Sequence, residues 1–208
     1  MARLGPRLLA AVRGRDLAVS YAGVVIVVAI ALSLVPSRVA DRFILDSSTN
    51  LVNLRQHPPF VLVVSAFVEP AVWHVWIVVP LVWAYGTLQR WLGRGAVLIT
   101  VVLGHVGTTL FVATVLTAGM VHGRIALAED RATDVGVSYG LVTVMGLLSL
   151  RVPPRWQGWY LAGISLGLVG QLLIVRSFTD LGHLVAWILG LGLALLVGRA
   201  QLAIRPSS

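Results

Sequence analysis

The chain of 208 residues has no cysteine and no lysine, and only 12% of its residues are charged. Without cysteine there is no disulfide, no thiolate metal site and no cysteine nucleophile. All sixteen basic residues are arginine, a bias of base composition more than of chemistry. A soluble domain carries about 25% charged residues, so this chain has half the charge that a soluble surface of its size would show. What fills the space is apolar: hydrophobic residues make up 58% of the chain, and the mean hydropathy is +0.91. The class this indicates is an all-α polytopic membrane protein with no soluble domain appended. The formal charge of +8 does not indicate a nucleic-acid partner, because the arginines flank apolar runs rather than forming one patch.

A helix needs about 20 apolar residues to cross ~30 Å of hydrocarbon, and fewer where other helices enclose it. Six runs qualify, at residues 17–35, 71–91, 95–121, 135–150, 158–175 and 181–197. The first follows Arg3, Arg7, Arg13 and Arg15 as a signal peptide would, but its apolar stretch is too long and no small-x-small cleavage site follows. It reads as an uncleaved span. Arg90 and Arg94 separate runs two and three, Arg151 and Arg155 separate four and five, and Arg199 and Arg205 end the chain. One side of the membrane thus receives ten arginines and a single acid, Asp16, and the other receives six arginines and seven acids. The positive-inside rule places both termini in the cytoplasm of a multi-pass cell-membrane protein. The domain plan is an arginine-rich N-terminus over 1–16, a six-helix membrane domain over 17–199 and a tail over 200–208.

Several segments depart from a plain bundle. The fourth run has about 16 residues, or ~24 Å of helix, and is best placed centrally with its start below the membrane surface. The stretch 58–68 is apolar but too short to span, so it is expected in the outer interface, within a first external loop over 36–70 that also holds Ser47-Ser48-Thr49-Asn50. Pro80 is expected to kink the second span, and Trp73, Trp91, Trp156 and Trp159 are interface anchors. Gly136 and Gly140, Gly163 and Gly167, and Gly182, Gly190 and Gly198 recur on single helix faces and are expected at close helix contacts.

Ser138 lies just inside the fourth run and His183 just inside the sixth, each roughly one turn below the last charged residue. Polar side chains are costly inside a bilayer, and a hydroxyl and an imidazole at one depth pair a nucleophile with a base. Asp134 and Asp180 precede them and read most simply as N-caps, with Asp180 able to share the His183 face. His105, in the middle of the third run, reads as a satisfied buried histidine, and His57 and His122 as solvated loop residues. No two histidines or acids stand four apart on a span, so neither a metal nor another cofactor is indicated. Gly136-x-Ser138-x-Gly140 also fits the soluble hydrolase elbow, but that elbow needs a preceding strand and a large sheet.

With these residues in place, the chain resembles the rhomboid superfamily of intramembrane serine proteases over roughly residues 60–199. Gly136-Val137-Ser138 is similar to the family's Gly-x-Ser motif, and Met145-Gly146 keeps the glycine that follows it. His183, Ala186 and Gly190 resemble His-x-x-Gly-x-x-x-Gly with one alanine substituted. Gly86-Thr87-Leu88-Gln89 resembles a Gly-x-x-Glu signature, with Gln89 for the acid. His74 sits where these proteases carry an oxyanion-site histidine. Three positions depart from the pattern. Tyr139 replaces a glycine after the serine, Val78 and Val79 stand where an oxyanion asparagine is usual, and the first loop lacks a Trp-Arg pair.

The resemblance implies a six-transmembrane-helix rhomboid-like bundle and a protease that cuts transmembrane protein substrates near the extracytoplasmic face. Ser138 would be the nucleophile, His183 the base and His74 an oxyanion donor. The alternative is a catalytically inactive rhomboid-like protein that binds transmembrane partners as clients, which the three departures also fit. Either way the surroundings are membrane lipid and the partners are membrane helices.

Overall fold

The computed structural model describes residues 13–69, 72–125 and 133–204, which form helices and turns with no strand among them. The expected flanking charges Arg3, Arg7 and Arg205, the start of the second run at Ala71 and the side chain of Trp73 lie outside the described residues. The helices are α1 (Asp16–Leu34), α2 (Ser37–Ser47), α3 (Leu51–Gln56), α4 (Pro58–Val64), α5 (Val78–Leu92), α6 (Arg94–Val121), α7 (Ser138–Leu148), α8 (Pro154–Val175) and α9 (Phe178–Ile204). Short 3-10 turns cover Ser65–Phe67, Val72–Ile77 and Ser149–Arg151. The chain divides into two compact units, Met1–Ile99 with Arg131–Val137, and Thr100–Asp130 with Ser138–Ser208.

Four helices among the described residues are long and apolar enough to cross a membrane: α1, α6, α8 and the Phe178–Ala203 part of α9. They match the first, third, fifth and sixth apolar runs. The second and fourth runs form shorter α-helices of 15 and 11 residues. At ~1.5 Å per residue α7 is about 16 Å long, well short of the hydrocarbon thickness. Such a helix needs other protein around it to satisfy its surroundings, and eight of its eleven residues are buried. By contrast α8 has no buried residue, so its surface is free to face lipid.

In the first unit α1 packs against α5. Gln89, the residue in the acid position of the Gly-x-x-Glu resemblance, is buried and donates to Asp16 Oδ1 at 2.7 Å. Its own carbonyl oxygen accepts from the Ala18 N–H at 3.4 Å, and Arg94 pairs with Asp16 at 2.8 Å. Gln89 therefore gives an acceptor to one first-turn N–H of α1 that has no intrahelical partner. Gly86 gives passage to the Arg15 stem, which a Cβ there would meet at 2.9 Å. Farther along α1, Tyr21 packs on the rings of Phe67 and Tyr85 and donates its hydroxyl to the Ala66 carbonyl. Pro80 does not interrupt a helix, because the segment before Val78 is a 3-10 turn and Pro80 falls in the first turn of α5. There its missing N–H has no intrahelical acceptor to lose. The polar stretch Ser47-Ser48-Thr49-Asn50 of the first loop is buried. Within it Asn50 caps α3 by accepting from the Asn53 N–H at 2.9 Å, and Asn53 Nδ2 donates to the Leu45 and Ser48 carbonyls at 2.8 and 2.9 Å.

In the second unit α7 is held against α9 by backbone-to-backbone approach. A Cβ on Gly146 would stand 2.8 Å from the Gly190 Cα, and one on Gly190 would stand 2.9 Å from the Gly146 Cα. Lipid supplies no hydrophobic drive between helices, so packing at such small-residue contacts and interhelical hydrogen bonds hold them together. Thr143 adds one, its hydroxyl lying 3.0 Å from the Ala186 carbonyl and 2.9 Å from that of Tyr139. Gly104 on α6 accommodates the Thr143 side chain from the other side. On α8, Tyr160 donates to the Met145 carbonyl at 2.8 Å, and Trp187 of α9 donates to Ser165 Oγ at 3.0 Å. The glycine contact expected in the fifth run does not form among the described residues. A Cβ added to Gly163 or Gly167 would meet nothing within 4 Å, because that face of α8 is open.

Gly190→Ala should overpack the α7–α9 contact and cost about 1–3 kcal/mol. Gly163→Ala meets no neighbour and should be neutral or slightly stabilising, as helix propensity favours alanine over glycine by about 1 kcal/mol. Thermal unfolding of the two variants in detergent checks this, with a lowered midpoint expected only for the first.

Candidate active site

Ser138 is the first residue of α7 and His183 lies on the second turn of α9. The glycine contact between these helices brings the two side chains together, with His183 Nε2 and Ser138 Oγ 2.9 Å apart. Both residues are half-buried, which leaves them open to a reactant. With the proton on Nδ1, Nε2 accepts from the serine hydroxyl, the arrangement a general base needs. As the first residue of its helix, Ser138 has a backbone N–H with no intrahelical acceptor.

Tyr139 points inward and not toward lipid. It is 3% exposed, and its ring meets His183 edge-on at 5.4 Å between centroids and 72° between planes. The ring of His105 on α6 stands 6.4 Å from it between centroids, and this mid-helix histidine is buried. Space for the ring comes from Gly182, where a Cβ would stand 2.6 Å from Tyr139 Cε1. The large residue after the serine is thus matched by a small residue before the histidine.

Neither aspartate is an N-cap. Before α9, Ser177 and Asp180 form a capping box: the Ser177 hydroxyl accepts from the Asp180 N–H at 3.1 Å, and Asp180 Oδ2 accepts from the Ser177 N–H at 3.2 Å and its hydroxyl at 2.6 Å. Serine fits the cap position and the acid fits the third helical position, where it also meets the positive end of the helix dipole. Asp134 stands four residues before α7, too far to cap it. Its carbonyl accepts from the Thr49 N–H at 2.9 Å and the Thr49 hydroxyl at 3.0 Å, and its N–H donates to Ser48 Oγ at 2.6 Å.

The first unit holds the rest of this lead-in segment. Gly136 has φ +129, a backbone region that side-chain-bearing residues rarely enter, and its N–H donates to the Ser65 carbonyl at 3.0 Å. The glycine of Gly-x-Ser is therefore a backbone requirement. The Val137 N–H donates to Glu69 Oε1 at 3.2 Å. Burial pushes the Glu69 carboxyl up to about 6, opposed by that N–H. In the sequence Glu69 is simply one of the outer acids. Its isolation in an apolar stretch is the signal that singles it out. His74 is half-buried on the Val72–Ile77 turn of the first unit, with Val78 and Val79 opening α5 behind it. Among the described residues no group of three or more histidines and acids is arranged to hold a metal ion.

A family profile for rhomboid-like proteins matches residues 11–202, nearly the whole chain. No curated protein and no solved structure matches.

If Tyr139 rests on His183, the two should report on one another. In protein labelled with 3-fluorotyrosine, the 19F resonance lost in Tyr139→Phe should move in His183→Ala. It should stay in place in Gly192→Ala, whose Cβ would meet nothing.

Proposed function

The chain belongs to the rhomboid-like family, and on that premise we propose that it is an intramembrane serine endopeptidase that uses Ser138 and His183 as a dyad. The observation that carries this reading is the 2.9 Å approach of Ser138 Oγ to His183 Nε2. In this mechanism His183 takes the serine proton as Oγ attacks the scissile carbonyl of a transmembrane substrate. The tetrahedral oxyanion is met by the Ser138 N–H and by His74, the donor that the family resemblance supplies. Collapse breaks the C–N bond, and His183 returns the proton to the leaving amine. Water then enters by the same base, cleaves the acyl ester and restores the hydroxyl.

The topology belongs to the same proposal. Six passes through the cell membrane, with α5 and α7 as the short second and fourth spans, leave both termini in the cytoplasm under the distribution of arginines. Ser138 and His183, near the starts of α7 and α9, then lie close to the extracytoplasmic face, where water reaches them.

Labelling of the purified protein with an isocoumarin or fluorophosphonate probe tests the reading. Wild type should label, and Ser138→Ala and His183→Ala should not. His74→Ala should slow labelling by about a hundred- to a thousandfold, the usual cost of one oxyanion donor. A folded wild type that stays unlabelled beside an active rhomboid control would favour the non-catalytic, partner-binding reading.

A further inference from the structure

The segment leading into Ser138 is irregular backbone with an unusual number of fixed points. Over residues 134–137 its groups are bound in turn by Ser48 and Thr49, by the Ser65 carbonyl and by Glu69. All four partners come from the first external loop, and all four are buried: Ser48 and Ser65 are fully enclosed, Thr49 is 6% exposed and Glu69 is 7% exposed. Three are hydroxyls or a main-chain carbonyl. Of these four only Glu69 is a charged side chain, and its Oε1 accepts from the main-chain N–H of the residue before the serine. A buried carboxylate is costly unless its charge is met. A neutral acceptor would satisfy an N–H at lower cost, but a charge-assisted bond is roughly twice as strong as a neutral one.

We propose that Glu69 is a positioning residue for the nucleophile: by holding the Val137 N–H it fixes the backbone from which Ser138 begins α7. Gly136, at positive φ, immediately precedes Val137 and can swing widely when unrestrained. The Ser65 carbonyl restrains Gly136 on one side, and the Glu69 carboxylate stops Val137 on the other. Without the second stop the first peptide of α7 loses its fixed orientation, and with it the aim of Ser138 Oγ and of its own N–H. This rests on the proposed dyad for its catalytic consequence, while the hydrogen bond itself can be tested without any activity.

The test compares wild type, Glu69→Gln and Glu69→Leu as full-length protein in detergent, by amide hydrogen exchange of the peptide spanning residues 134–140 and by the rate of fluorophosphonate labelling. Glu69→Leu should speed exchange at the Val137 amide at least tenfold and slow labelling at least tenfold. Glu69→Gln keeps an accepting oxygen and should restore most of both. Exchange unchanged in Glu69→Leu overturns the proposal. So does labelling unchanged in Glu69→Leu when wild type labels, or equal loss in both variants, which would show that an accepting oxygen at this position is not what holds the segment. An unlabelled wild type counts against the protease reading instead, and the exchange comparison then decides the Glu69 contact alone.

Discussion

The approach of Gly146 to Gly190 is the constraint on which the site depends. Two helices can bring a serine and a histidine into hydrogen-bonding reach only if their axes come close enough for short side chains to meet. Here the backbones touch where both lack a Cβ. The Ser138 hydroxyl is one bond from its Cβ, so even a small widening of the α7–α9 spacing would take it out of reach of His183. Thr143 reinforces the contact by bonding the carbonyl of Ala186, which is wholly buried.

Around this contact a large side chain is matched to a small one. Tyr139 brings a ring to the place where the family resemblance calls for glycine, and Gly182 on the facing helix removes the volume that the ring needs. The two rings then pack in a T-shaped arrangement, with their planes 72° apart. A departure that looks disabling in a one-dimensional motif is an accommodated substitution in three dimensions. The same logic applies to Gln89, which does by hydrogen bonds to Asp16 and Ala18 what a charged residue would do less readily beside an aspartate.

The parts of this architecture that are legible in the sequence are those set by periodicity and length. The apolar runs become helices, and Ser138 and His183 can be singled out because polar side chains in apolar runs are conspicuous. Gly190 is visible as a member of a spaced pattern and Gly146 through the family resemblance, but nothing in the spacing separates Gly190 from Gly163 and Gly167, where an added Cβ would meet nothing. Whether a glycine face is a contact depends on the neighbour it meets. Local chemistry misleads where two residues compete for one job. Asp180 has the look of a cap, but Ser177 takes that position, and Asp134 is drawn away by Ser48 and Thr49, which are 86 and 85 residues distant in sequence. Pairings of that kind have no local signature. Pro80 misleads for another reason: the change from 3-10 to α-helix ahead of it leaves no regular trace in composition.

The central claim is that His183 activates Ser138 and no other serine. Tandem mass spectrometry of wild-type protein after treatment with diisopropyl fluorophosphate tests it most directly, by locating the adduct along the chain. A single phosphorylated residue is expected, Ser138, with Ser65, Ser149 and Ser165 unmodified. An adduct on another serine, or none on a folded protein, would contradict it.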